Sequence, residues 1–76
     1  MTRRSSVLEH DADRRLFAHL RYAGQAHAGD DVALAYYVRE GYRVRWTYRL
    51  IGDALGISAR RVSAIRHRDL ARRGLL

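Results

Sequence analysis

The sequence contains no cysteine, no proline and no lysine, and it has no low-complexity tract or internal repeat. Without cysteine, neither a disulfide nor a thiolate zinc site can stabilise the chain, which is typical of proteins of the reducing cytosol. No apolar run approaches the roughly 18 residues that cross a membrane. The opening residues MTRRSSVLEH carry charge without the apolar stretch of a secretory signal. These absences predict a cytoplasmic protein without a membrane segment.

The chain is short, with 76 residues, so we expect a single domain that spans residues 1–76. A domain of this size buries only about 60% of the surface of its unfolded chain, which leaves its stability marginal. We therefore expect a macromolecular partner or a second subunit.

Positive charge is abundant and unevenly distributed. All fifteen basic residues are arginines, against eight acidic residues, and the formal net charge is +7. Such a charge on a small surface favours a polyanion, most often nucleic acid, and arginine binds phosphate and guanine through two parallel hydrogen bonds. GC-rich codons also produce arginine in place of lysine. Residues 43–76 hold nine of the arginines but only two of the acidic residues, so the positive field belongs to the C-terminal half.

Residues 6–46 are predicted to form two supporting helices. Ser6 and Glu9 can form a capping box at the start of the first helix. Apolar residues then recur every three or four positions and predict one buried helix face, made of Leu8, Ala12, Leu16, Leu20 and Ala23. Gly29 is the expected end of this helix, with Gly24 as an earlier alternative.

The second helix is predicted to run through VALAYYVRE, with Asp30 or Asp31 as its cap and Gly41 as its end. The residues that follow are predicted to be a connection, because a lone strand would have no partner. His19 is expected to pack in the core. Most aromatic side chains are also more typical of a core than of a base-stacking surface; these are Tyr22, Tyr36, Tyr37, Tyr42 and Trp46.

Two shorter helices follow. Thr47 is the predicted cap of a third helix that ends at Leu55, and Ser58 is the predicted cap of a fourth helix that runs to about Arg73. Gly74 would then provide a left-handed stop. Four helices without a sheet predict an all-α fold, a small four-helix domain.

The junction between these last two helices has the spacing of a helix-turn-helix. Gly52 lies at the predicted crossing, where a larger side chain would hold the backbones apart, and Gly56 permits the turn. Apolar residues fall where the two helices would interlock; these are Ile51, Leu55, Ile57, Val62 and Ile65. In such a unit the second helix enters the major groove of DNA. Residues 47–74 are therefore predicted to bind DNA.

Residues 47–73, TYRLIGDALGISARRVSAIRHRDLARR, resemble the helix-turn-helix of region 4 in bacterial sigma factors. The typical run of that family is T-x-x-x-I-G-x-A-L-G-[VI]-[ST]-x-x-R-V-x-x-I-x-x-x-x-L. This chain matches it without a gap at Thr47, Ile51, Gly52, Ala54, Leu55, Gly56, Ile57, Ser58, Arg61, Val62, Ile65 and Leu70. The resemblance implies a DNA-binding domain of the kind found in small phage and actinobacterial regulators, with RNA polymerase as a further expected partner.

The fourth helix can be divided into faces, because a helix turns by about 100° per residue. With Val62 and Ile65 facing inward, the opposite side faces outward. We predict contacts with base edges from Ser58, Ala59, Arg60, Ser63, Ala64 and His67. Arg60 is the best candidate for a two-bond contact with guanine. Phosphate contacts are predicted from the start of the third helix and one flank of the fourth, by Thr47, Tyr48, Arg49, Arg61, Arg68 and Arg72.

Other charged groups have simpler interpretations. Arg66, Asp69 and Arg73 have the spacing of an ion-pair network on the inward side of the fourth helix. Ser63 and His67 lack the orienting carboxylate that a catalytic nucleophile needs, and the four histidines lack the spacing of a zinc site. We therefore expect no enzyme, no metal or other cofactor, and no small-molecule substrate.

The expected function is sequence-specific binding of double-stranded DNA that regulates transcription, for example as a repressor. A single module buries only about 600–1,000 Å² on DNA, so a homodimer on two half-sites is expected. The alternatives are a mimic of sigma region 4 that binds RNA polymerase or a sigma factor, and an accessory protein of phage recombination or excision.

Overall fold

A computed structural model describes residues 10–76, and these residues form four helices and no strand. The helices are α1 (Asp11–Ala26), α2 (Asp31–Arg43), α3 (Tyr48–Leu55) and α4 (Ala59–Arg72). The predicted all-α, four-helix fold is confirmed. Within the described part of the chain, no helix has the length and apolar character needed to cross a membrane.

The first helix differs from its predicted bounds at both ends. Ser6 and Glu9, the predicted capping box, lie outside the described residues. The helix begins at Asp11, after His10 in an extended conformation that makes no side-chain cap bond. It continues past Gly24 to Ala26. Gly24 lies inside the helix and lets the backbone at Leu55 approach it closely. A Cβ atom on Gly24 would overlap the Leu55 carbonyl.

The second helix is capped as predicted but runs further. Asp30 accepts a hydrogen bond from the Ala33 amide at 3.1 Å. Gly41 is buried inside the helix and not at its end. A Cβ atom on Gly41 would lie only 2.7 Å from Ile51 Cγ1, so its absence lets α2 pack closely on α3.

The connection between α2 and α3 is a compact turn, as predicted. The amide of Arg45 donates to the carbonyl of Tyr42 at 2.9 Å, and the amide of Trp46 donates to the carbonyl of Gly41 at 3.1 Å. This is the hydrogen-bond pattern of a Schellman motif, which needs a left-handed residue after the helix. Arg45 occupies that place with φ of +68°, a conformation that glycine adopts at lower cost.

The core lies where all four helices meet. Its fully buried side chains come from every helix and are Leu20, Leu34, Val38, Ile51, Val62 and Ile65. Trp46 closes one side, next to the ring of Phe17, and its Nε1 donates to the Asp13 carboxylate at 3.3 Å. Of the predicted face of α1, Leu20 and Ala23 are buried, Leu16 is half-buried and Ala12 is exposed. Leu8 lies outside the described residues.

The prediction that most aromatic side chains pack in the core is wrong for three of them. Tyr22, Tyr36 and Tyr42 are exposed, Tyr37 is half-buried, and Trp46 alone of the five is buried. His19 is exposed as well, with its ring edge against Tyr37 at 5.4 Å between centroids. The largest fully buried side chains are all aliphatic, and these rings lie on the surface of α1 and α2.

Candidate nucleic-acid interface

Helices α3 and α4 form the predicted tight unit. Gly56 has φ of +80° and ends α3 in the left-handed region. A Cβ on Gly52 would lie 2.5 Å from the Ile57 carbonyl oxygen and 3.3 Å from the carbonyl carbon of Ser58, so the missing side chain sets the approach of α3 to the turn. Thr47 and Ser58 cap their helices, with hydroxyl oxygens that accept from the amides of Leu50 and Arg61 at 3.1 Å.

The predicted base-contacting residues share one exposed surface. Val62 and Ile65 are buried against the core, and the opposite side of α4 is open to solvent. All six candidates are exposed, namely Ser58, Ala59, Arg60, Ser63, Ala64 and His67. The Ser58 hydroxyl already accepts a capping bond, but its proton is free to be donated. Ala59 and Ala64 leave room for a base edge to approach the helix backbone.

The start of α3 supplies the second predicted group. Thr47 and Arg49 are exposed, and Tyr48 is half-buried against the core. The Tyr48 ring also lies 6.2 Å from the ring of Tyr42, centroid to centroid. Arg49, by contrast, makes no ion pair with any residue of the described chain.

Two of the predicted phosphate-contacting arginines are engaged by a carboxylate of α2. Arg61 Nη2 lies 2.7 Å from Asp31 Oδ1, and Arg68 Nη1 lies 3.9 Å from Asp31 Oδ2. Both guanidinium groups stay partly exposed. In the sequence Asp31 is only a candidate helix cap, because 30 residues separate it from Arg61 and no local spacing relates the two.

The predicted network on the inner side of α4 is centred on a buried carboxylate. Asp69 is 4% exposed. Arg72 lies 3.5 Å and Arg73 lies 3.2 Å from its oxygens, and Arg39 of α2 donates to it at 2.8 Å. Burial alone would raise the pKa of Asp69, but the hydrogen bonds and charges of Arg39 and Arg73 outweigh burial, so its pKa lies below the ordinary value of 3.8.

Arg66 does not belong to this network. Its guanidinium carbon lies 3.6 Å from the centroid of the Tyr42 ring, in a cation–π contact. The expected pairing of Arg66 with Asp69 is therefore wrong. Arg39 takes that place, and nothing in the local sequence of α4 indicated it.

Arg60 differs from the other arginines of α4. Arg61 and Arg68 pair with Asp31, Arg72 pairs with Asp69, and Arg66 lies over Tyr42. Arg60 has no ion pair and no ring contact with the described residues. Its guanidinium group therefore keeps all its donors available for an external ligand, and it lies on the face of α4 that points away from the core.

Within residues 10–76, no three His, Asp or Glu side chains come together in an arrangement that could hold a metal ion. No known protein family, curated protein or solved structure matches this chain. The likeness of residues 47–73 to sigma region 4 therefore stays a prediction. What the protein binds is inferred from its own residues and their geometry.

Proposed function

We propose that the protein is a cytoplasmic, sequence-specific double-stranded DNA-binding protein that regulates transcription by occupying an operator. In this proposal α4 enters the major groove, and its exposed face contacts the base edges. The start of α3 and one flank of α4 contact the phosphates on either side of the groove.

The observation that carries the proposal is that Arg60, on the outward face of α4, pairs with none of the residues that the structure describes. A guanidinium group next to small side chains can approach a base pair closely enough to donate two hydrogen bonds to O6 and N7 of guanine. Ala64, one turn further along, adds no bulk and no charge that would oppose this approach.

The net charge of +7 supports the same proposal. Counterion release from DNA supplies binding energy in proportion to the number of phosphates that are neutralised. Because one module of this size makes a small interface, we propose that two copies bind two half-sites about one helical turn apart.

The decisive experiment is selection of bound sites from a library of random duplexes, followed by measurement of the mass of the complex. The proposal expects an enriched motif, an inverted repeat, and two chains per duplex. An enriched motif bound by a single chain would refute the proposed dimer but not sequence-specific binding. Recovery of sequences without any enrichment, at low and at moderate salt, would refute sequence-specific binding.

Two alternatives predict different results in the same assays. A mimic of sigma region 4 would co-purify with RNA polymerase or a sigma factor and would tolerate the loss of Arg60. A recombination or excision accessory protein would select sites and bend the bound duplex, and its removal would leave transcription of the genes next to its natural sites unchanged.

A further inference from the structure

Asp31 occupies an unusual position relative to the proposed interface. It is the first residue of α2, and its carboxylate oxygens face two arginines of α4, at 2.7 Å from Arg61 and 3.9 Å from Arg68. These are two of the three arginines on the α4 flank that is proposed to contact phosphate. A carboxylate with two guanidinium groups has the same charge complementarity as a phosphate between them.

We infer that Asp31 competes with DNA phosphate for Arg61 and Arg68 and thereby sets the affinity of the protein for DNA. The inference rests on the proposed function and adds a residue outside the helix-turn-helix to the DNA-binding site. In the free protein Asp31 neutralises part of the positive charge on this flank of α4. In the complex the arginines turn to phosphate, and Asp31 is left as a negative charge close to the DNA backbone.

The position of Asp31 suits this competition. Its side chain is one-third exposed, and those of Arg61 and Arg68 are 43% and 71% exposed. An ion pair so accessible to water contributes little to folding, so the arginines can exchange partners at low cost. The buried Asp69 differs in this respect, because its side chain is only 6% exposed and is far less accessible to water.

The test is Asp31→Asn in the full chain, with Asp11→Asn as a matched control. Both changes remove one negative charge from the first residue of a helix, but Asp11 makes no ion pair with a described residue. Binding to a fluorescent duplex of mixed sequence is measured by anisotropy between about 50 mM and 200 mM salt. Circular dichroism establishes that each variant has the helix content of the parent protein. Asp31→Ser, which keeps a good helix-start residue, replaces Asp31→Asn if the latter does not fold.

We expect Asp31→Asn to bind about three- to fivefold more tightly than the parent at the lowest salt, which corresponds to the strength of one exposed ion pair. We also expect the slope of log K against log salt to become steeper by about 0.9, because one more phosphate charge is neutralised in net terms. Asp11→Asn should change both quantities less. In an Arg61→Gln background, the gain from Asp31→Asn should shrink.

Unchanged or weaker binding by Asp31→Asn would overturn the inference, since Asp31 would then be neutral or would position Arg61 for the phosphate. An equal gain in Asp11→Asn would also overturn it, because the effect would then come from net charge. If neither the parent nor Asp31→Asn binds any duplex, the proposed function itself fails.

Discussion

The buried carboxylate of Asp69 allows a quantitative test of what joins α4 to α2. Asp69→Asn keeps the volume of the side chain but removes the charge that faces Arg39, Arg72 and Arg73. Loss of one partner in a fully buried ion pair costs about 3–5 kcal/mol. The three arginine side chains here are 34–46% exposed, so water can solvate them after the change. We therefore expect the free energy of unfolding to fall by about 2 kcal/mol, after a discount for this solvation.

For a domain of this size, that loss corresponds to a decrease in Tm of about 8–16 °C at neutral pH. Urea and thermal unfolding followed by circular dichroism measure both quantities. Asp53→Asn is the control, because Asp53 is exposed on α3 and makes no ion pair with a described residue. It should change the free energy of unfolding by less than about 0.5 kcal/mol.

The pH dependence provides an independent test of the same contact. Because the pKa of folded Asp69 is lower than 3.8, the folded state binds the proton less readily than the unfolded state does. The stabilisation is therefore fully present above the unfolded pKa and is lost as the pH falls through the folded pKa. The difference between parent and Asp69→Asn should narrow below pH 3.8. Equal stability of the two proteins at pH 7, or a difference that persists unchanged into strong acid, would refute the reasoning.

Three further predictions concern the interface and the turns. Arg60→Gln should remove about 1–3 kcal/mol of discrimination at one base position of the selected site, whereas Arg49→Gln should weaken binding to all duplexes alike. Competition assays with single-base variants of the site distinguish the two effects, and identical profiles would contradict the assignment of Arg60 to a base and Arg49 to a phosphate. Gly52→Ala should destabilise the fold by about 1–3 kcal/mol in urea, because its Cβ would overlap the Ile57 carbonyl; an unchanged midpoint would exclude that close approach. Arg45→Gly should stabilise the fold by about 0.5–1 kcal/mol, because glycine relieves the left-handed conformation, and a lower Tm would show that the Arg45 side chain contributes more than its strain costs.

Local signals in the sequence predicted most of the fold. The caps at Thr47 and Ser58 and the left-handed turn at Gly56 depend on residues within a few positions of one another. The alternative end at Gly24 and the predicted end at Gly41 were wrong, because a glycine in a helical sequence has the same local appearance whether it ends the helix or admits a neighbouring one. Only the packing partner distinguishes these cases, and that partner is distant in the sequence.

For the candidate interface, the exposed face of α4 was predictable from the sequence, but the charge partners of its arginines were not. Helical periodicity gave the exposed face that carries Arg60, because burial of Val62 and Ile65 determines which side of α4 faces outward. Periodicity within α4 could not predict which residues of other helices pair with its charged side chains. Asp31 and Arg39 belong to α2, and their contacts with Arg61 and Asp69 depend on how α2 crosses α4. Charge pairing between helices becomes visible only after the fold is known.

The three glycines inside helices all make their closest approaches to α3 or to the turn that ends it. Gly24 abuts Leu55, Gly41 abuts Ile51, and Gly52 itself belongs to α3 and abuts the turn. An isolated helix of eight residues would be mostly unfolded in water, yet here its backbone is shielded by close neighbours. Opening α3 therefore requires separating it from every other helix at once. Its amide protons that are hydrogen-bonded to backbone carbonyls should exchange with solvent at rates close to those of global unfolding, although it is the shortest helix of the described chain.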